Sequence, residues 1–221
     1  EIPGKTRGET AGNTPGNTRE PRRRRFGALA ILLALLVGLI VVGAAARKWM
    51  AREYFPRNLG VVKEHAIYRS GQHSPRVLRD LCQDLGLKTI LDLGGAVNHD
   101  EKTQAQRDVA SDLGVDRFEF HLPSDGTGDP DKYVAALLLM SDPARQPVLV
   151  HCGAGAQRTS TATMLYRMIV EGQTAAQAYP EAFRYGHEAD EWALLAWVAD
   201  HVDYVRAQYH QQLQARASGR E

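Results

Sequence analysis

The chain has 221 residues, a formal net charge of +1 and two cysteines. A balance so close to neutral gives no general attraction for nucleic acid or another polyanion, and no nucleic-acid partner is expected. Two cysteines cannot build a disulfide framework.

Residues 1–26 are mostly Gly, Thr, Asn, Pro, Glu and Arg, basic towards their end and almost free of apolar side chains. They cannot bury enough surface to fold and are expected to be disordered. Gly27 to Ala46 then runs without a charge or a proline. As a helix it is about 30 Å long, matching a bilayer core, and it is apolar on every face, unlike a globular surface helix. Arg22 to Arg25 precede it, Arg47, Lys48 and Arg52 follow it, and Trp49 and Tyr54 suit the membrane interface. Residues 27–46 are therefore expected to be a single-pass transmembrane anchor, with a juxtamembrane linker over 47–55. The competing reading is a cleaved secretory signal. Ala44-Ala45-Ala46 offers a small-residue cleavage site, and Arg23-Arg24-Arg25-Phe26 has a faint likeness to a twin-arginine signal. The apolar run is longer than a usual signal core, which favours a retained anchor. The slight excess of arginine on its N-terminal side favours a folded domain outside the cytoplasm.

Residues 56–215 alternate strand and helix patterns, which predicts an α/β domain: a central, mostly parallel sheet flanked by helices. Leu59 to Arg69 reads as a short hairpin. Pro75 to Leu85 reads as a helix capped by Ser74 and stopped by Gly86. Cys82 shares its pattern with Val77, Leu78, Leu81 and Leu85 and reads as a core residue. A strand over Thr89 to Leu93, a polar helix over Asp100 to Leu113 and a strand over Asp116 to Leu122 follow. Pro130 to Ser141 is a helix capped by Asp129. Val148 to His151 is a strand and Arg158 to Glu171 a helix, with Ala162, Leu165, Met168 and Ile169 marking one buried face. Pro180 should bend or divide a helix over Thr174 to Tyr185. The last helix, about Glu188 to Ala215, carries a core-facing stripe of Leu195, Val198, Val202 and Val205. Residues 216–221 form a disordered tail.

The stretch Val148-Leu149-Val150-His151-Cys152-Gly153-Ala154-Gly155-Ala156-Gln157-Arg158-Thr159 concentrates the chemistry. A buried strand delivers a cysteine into a small-residue loop, and an arginine opens the helix behind it. Backbone N–H groups of such a loop converge on a phosphate, and the helix adds its positive end. Residues Gly153, Ala154, Gly155, Ala156, Gln157, Arg158 and Thr159 form the expected phosphate cradle. Arg158 makes a planar, two-pronged contact with phosphate oxygens. Cys152 in that field is expected to act as a thiolate nucleophile. The plain alternative is a structural cysteine at a strand end.

With its His-Cys-x5-Arg-Thr order, the chain resembles the cysteine-dependent protein tyrosine phosphatase superfamily, nearest to the compact dual-specificity-like branch. Ala66-Ile67-Tyr68-Arg69-Ser70-Gly71-Gln72, then a helix, then Gly86-Leu87-Lys88-Thr89-Ile90-Leu91-Asp92-Leu93, is similar to the opening of small atypical members. The resemblance implies hydrolysis through a phosphocysteine, with a loop Asp that protonates the leaving oxygen and later serves as base for water. Asp125 comes first after its strand, beside glycines expected to be mobile, and is the assigned acid. Asp129 and Asp131 have ready structural roles as helix cap and first-turn charge. The Trp-Pro-Asp triplet of larger members is missing, which leaves the three carboxylates open as candidates. The resemblance also implies that Thr159 donates towards the sulfur and that His151 orders the loop by hydrogen bonds. A reversible disulfide between Cys82 and Cys152 is a minor possibility.

No metal-ligand spacing occurs among the histidines. His187-Glu188-Ala189-Asp190-Glu191 lacks the second histidine of a zinc helix and reads as a solvated helix start. Neither a cofactor nor a metal is expected. The expected partners are a phosphorylated protein or small phosphomonoester and, through residues 27–46, a membrane. Two rival readings remain: an inositol-phosphate or phosphoinositide phosphatase, and a non-catalytic phosphate-reading adaptor.

Overall fold

The computed structural model describes residues 20–95, 100–187 and 192–219. The disorder expected over 1–19 and 220–221, and the helix start expected over 188–191, lie outside the described residues. The chain divides into two compact units, Glu1–Lys48 and Trp49–Glu221.

Helix α1 spans Glu20–Tyr54. It runs past both ends of the expected anchor, through positions read as disordered and as linker. Pro21 is tolerated in a first turn, and from Arg47 to Tyr54 no glycine or proline interrupts the helix before Pro56. Its segment Ala30–Ala51 is 22 residues long, apolar enough to cross a membrane, and unburied.

In the second unit, strands β1 (Gly60–Lys63), β2 (Ile67–Gly71), β3 (Thr89–Asp92), β4 (Asp116–Glu119) and β5 (Val148–Cys152) form one sheet in the order β1-β2-β5-β3-β4. Only β1 runs antiparallel to its neighbour. Strand β4 is shorter than expected because His121 adopts φ +48°, which interrupts the regular ladder, although Phe120 N–H still donates to Asp92 O and Leu122 N–H to Leu93 O. Strand alternation splits the core in two. Leu149, Ile90 and Tyr68 pack with Leu78 and Cys82 of α2 (Pro75–Asp84) and with Val109 of α3 (Asp100–Leu113). Val148, Val150 and Leu91 pack on the opposite face beneath α4 (Pro130–Ser141), α5 (Gln157–Ile169), α6 (Ala175–Arg184) and α7 (Trp192–Ala217). Cys152 belongs to this second cluster, so the sheet separates it from Cys82 and nothing brings the two thiols together.

Three expectations need correction. Helix α5 is buried on all sides rather than along one face, because α4, α6, α7 and β5 all pack on it. Helix α6 is not divided at Pro180; a Thr174–Gln177 capping box starts it, and buried Ala178 and Ala182 hold it against α5. Helix α7 continues to Ala217, into the tail expected to be disordered. Val198 and Val205 of the α7 stripe are buried, and Leu195 and Val202 are partly so.

Leu137 is fully buried in α4. Leu137→Ala should lower the unfolding free energy by about 2–5 kcal/mol in urea denaturation. Replacement of exposed Phe183 by Ala should change it by no more than about 0.5 kcal/mol.

Candidate active site

Central strand β5 ends at Cys152, which is 2% exposed and paired in register with Gly71 of β2. The loop that follows is shaped by where its carbonyls go. Gly153 O accepts from Gln72 N–H at 3.2 Å and from Arg57 Nη1 at 3.5 Å. Ala154 O accepts from Asn58 Nδ2 at 2.9 Å, and Gly155 O from Arg69 Nη2 at 2.9 Å. Gly153 N–H is taken by Gly94 O, and with three carbonyls held outward the later N–H groups of the loop can point inward. Gly155 N–H donates to Cys152 Sγ at 3.3 Å. Gly155 has φ +74°, and a Cβ there would stand 2.5 Å from Gly71 N, so the turn admits only glycine. Helix α5 begins at Gln157 with Ala156 as N-cap and no side-chain cap, leaving its first N–H groups and positive end available to an anion.

Arg158 is 7% exposed, and its Nη1 donates to Leu122 O at 3.3 Å and Gly95 O at 3.4 Å. Its Nε has no partner among the described residues. A Cβ on Gly94 would collide with Arg158 Nη1. The Gly94 turn is fixed in its own right: Asp92 Oδ1 accepts from Gly94 N–H at 2.9 Å, and Gly94 O accepts from Gly153 N–H at 3.0 Å. Asp92 also pairs with Arg117, which reaches Glu119 at 3.0 Å. Hydrogen bonding from Arg107, joined by Arg117, holds Glu119 at about 2, below its ordinary value of 4.5.

Arg69 is a residue whose role sequence reasoning did not assign. It lies beneath the loop at 0% exposure. It bonds Gly155 O, Ser160 Oγ at 3.0 Å, Thr163 Oγ1 at 3.1 Å and Glu181 at 3.3 Å, and its guanidinium stacks on Tyr185. Burial lowers its pKa, and Glu181 opposes that shift. The available signal was an arginine in the middle of a short strand, directly after Ile67 and Tyr68.

The His151 ring lies against the Cys152 backbone, which favours its protonated form, and Asp92 lies 4.0 Å away. Alternation along β5 turns it to the face opposite Cys152, and burial pushes its pKa down. Thr159 Oγ1 is fully buried without a partner among the described residues, so the expected bond to sulfur is not made here. His187 is not a solvated helix start: it is buried, with Nδ1 2.6 Å from Gln157 Oε1 at the loop's end.

The carboxylates separate by environment. Asp125 is exposed and accepts from Thr127 N–H at 3.0 Å and Thr127 Oγ1 at 2.8 Å. The carbonyls of its neighbouring glycines are met by side chains from three helices. Gly126 O accepts from Tyr133 Oη at 2.7 Å and Thr161 Oγ1 at 2.8 Å, and Gly128 O from Trp197 Nε1 at 3.0 Å. Burial raises the pKa of the Tyr133 phenol, with charge at Cys152, Arg158 and Asp125 all near enough to bear on it. Asp129 caps α4 through Asp131 N–H, and Asp131 accepts from Tyr204 Oη at 2.8 Å. Among the described residues no His, Cys, Asp and Glu cluster could hold a metal.

Gly155→Ala should weaken orthovanadate binding by at least about tenfold in a fluorescence titration; unchanged affinity would show that the loop accepts a Cβ. The low Glu119 pKa means that its stabilising contribution is complete above about pH 4.5 and is lost as the pH falls towards 2. Glu119→Gln should therefore lower stability at pH 7 and flatten the acid limb of a pH–stability curve.

A family model described as "DSP-PTPase phosphatase fused to NAD+ Kinase" matches residues 49–200. Comparison with curated proteins returned no match. Among solved structures, TpbA of P. aeruginosa is 25% identical at a TM-score of 0.57, over 70% of this chain and 91% of that one. A cysteine-to-serine form of TpbA has been solved in complex with pTyr. The core catalytic domain of the PP-IP phosphatase SIW14 from S. cerevisiae is 20% identical at a TM-score of 0.55, over 70% of this chain and 94% of that one; at that identity the likeness is one of fold. The chain belongs to the DSP-PTPase family that this model describes, a dual-specificity-like member of the cysteine-dependent protein tyrosine phosphatase superfamily.

Proposed function

We propose that the chain is a membrane-anchored phosphatase that removes phosphate from protein phosphotyrosine through a thiophosphate on Cys152. The observation that carries this reading is the Cys152 loop, with Gly153, Ala154 and Gly155 carbonyls tied outward and the Gly155 N–H on the sulfur. In the first step Cys152 Sγ attacks phosphorus and the bond to the leaving oxygen breaks. Asp125 gives that oxygen its proton. Arg158 and the loop amides neutralise charge on the equatorial oxygens. In the second step water, deprotonated by Asp125, attacks the thiophosphate, phosphate is released and Cys152 leaves as its thiolate.

Between Cys152 and Arg158 the loop carries Gly, Ala, Gly, Ala and Gln, with no cation. One arginine and backbone amides balance one phosphate, which suits a singly phosphorylated side chain. TpbA in complex with pTyr supports this choice. SIW14, a PP-IP phosphatase, keeps an inositol phosphate as the second reading. The exposed Ala30–Ala51 helix supports anchoring, and the arginine bias supports a catalytic domain outside the cytoplasm.

Cys152→Ser should abolish aryl phosphate hydrolysis and retain vanadate binding; turnover close to wild type would sink the mechanism. Asp125→Asn should slow substrates with poor leaving groups by on the order of 10²-fold, and activated aryl phosphates less. If Asp129→Asn or Asp131→Asn shows that pattern instead, the acid is misassigned. Chelators are expected to leave the rate unchanged. The full chain should stay in the membrane fraction after carbonate washing. A higher kcat/KM for inositol polyphosphates than for phosphotyrosine peptides would promote the second reading.

A further inference from the structure

Asp125 is the middle residue of a loop over 122–128 whose ends lie together. A Cβ on Gly128 would stand 2.6 Å from Pro123 Cδ and 3.1 Å from Leu122 Cδ2. Two contacts set this loop against the phosphate cradle. Leu122 O accepts from Arg158 Nη1 at 3.3 Å, and a Cβ on Gly126 would stand 3.1 Å from the backbone carbonyl carbon of Gln157. Asp125 is therefore flanked on both sides by loop residues in contact with the pair that opens α5. The far end of the loop is met from elsewhere. Gly128 O accepts from Trp197 Nε1 of α7 at 3.0 Å.

Trp197 is 8% exposed. Its ring packs on Tyr133, 4.8 Å between centroids, and stacks on His201 at 4.5 Å. An indole N–H can only donate, and a buried one needs an acceptor, which Gly128 O supplies. The fully buried Tyr133 donates in the same way to Gly126 O at 2.7 Å. A loop that swung outward on every turnover would strand both of these buried donors. From this geometry we infer that Trp197 is a positioning residue: through Gly128 O it fixes the 122–128 loop, and with it the Asp125 carboxyl, in the working position before substrate arrives. The inference rests on Asp125 being the general acid, and it adds the side chain that aims that acid.

The test uses the full chain in detergent and two aryl phosphates, phenyl with a poor leaving group and dinitrophenyl with an activated one. Trp197→Phe keeps a ring and removes the donor. It should lower kcat for phenyl phosphate about tenfold, as a displaced acid does, and leave dinitrophenyl phosphate within about twofold. Vanadate affinity should not move. In an Asp125→Asn background the same substitution should have no further effect, because both act through one carboxyl. Equal losses on both substrates, or losses that add to those of Asp125→Asn, would show a merely structural role and overturn the inference. A second measurement needs no change at Trp197. With Trp49 and Trp192 replaced by Phe, its emission maximum should be the same with and without vanadate; a shift would mean that the loop moves onto its ligand, which would also overturn the inference. If Asp125→Asn itself shows no dependence on the leaving group, the acid assignment falls and takes the inference with it. If Asp125→Asn shows that dependence and Trp197→Phe does not, the inference alone falls.

Discussion

The buried guanidinium of Arg69 is the contact on which the candidate site depends. One side chain rising from β2 fixes the Gly155 carbonyl, the Ser160 and Thr163 hydroxyls of α5 and the Glu181 carboxylate of α6. Without a donor there, Gly155 O would be a buried acceptor left bare and Glu181 would lose a partner. The turn that aims the Gly155 N–H at Cys152 Sγ would lose its main restraint. A charge this deeply placed is costly to desolvate, and only its set of acceptors makes it tolerable.

A second polar assembly works from the other face of the sheet. Asp92, held by Arg117, orders the Gly94 turn, and that turn touches both Gly153 and Arg158. The loop is therefore braced from two sides by independent ion pairs, with the apolar end of β5 between them. The arrangement suits a site built from backbone amides, which have little reach of their own and must be placed by their surroundings. The same logic extends to the Asp125 loop. Tyr133, Thr161 and Trp197, from three different helices, grip its Gly126 and Gly128 carbonyls.

Much of the scaffold was legible in the sequence because its signals are local. Ser74 and Asp129 are caps of the expected kind, Gly86 follows α2, and β5 runs into the Cys152 loop. The roles of Arg69, Asn58 and Trp197 were not legible, since each acts on a carbonyl far along the chain and no spacing rule encodes that pairing. Strand alternation turns the His151 side chain to the face opposite that of Cys152, so its bearing on the loop is through the Cys152 backbone. Gly126 and Gly128 suggested mobility when read as composition. In the fold their positive φ angles, +86° and +118°, let the chain turn while distant donors hold its carbonyls.

The outer wall of the phosphate loop comes from Arg57 and Asn58, which lie directly after α1 and bond to Gly71, Gly153 and Ala154. This joins the site's integrity to where the polypeptide is cut. A protease that clips the exposed Tyr54–Phe55–Pro56 stretch would release a fragment that still carries its own wall. A cut after Asn58, only a few residues on, would detach that wall and leave the Ala154 carbonyl without its amide donor. Separation from the apolar helix and loss of the loop's outer wall thus lie only a few residues apart in the chain.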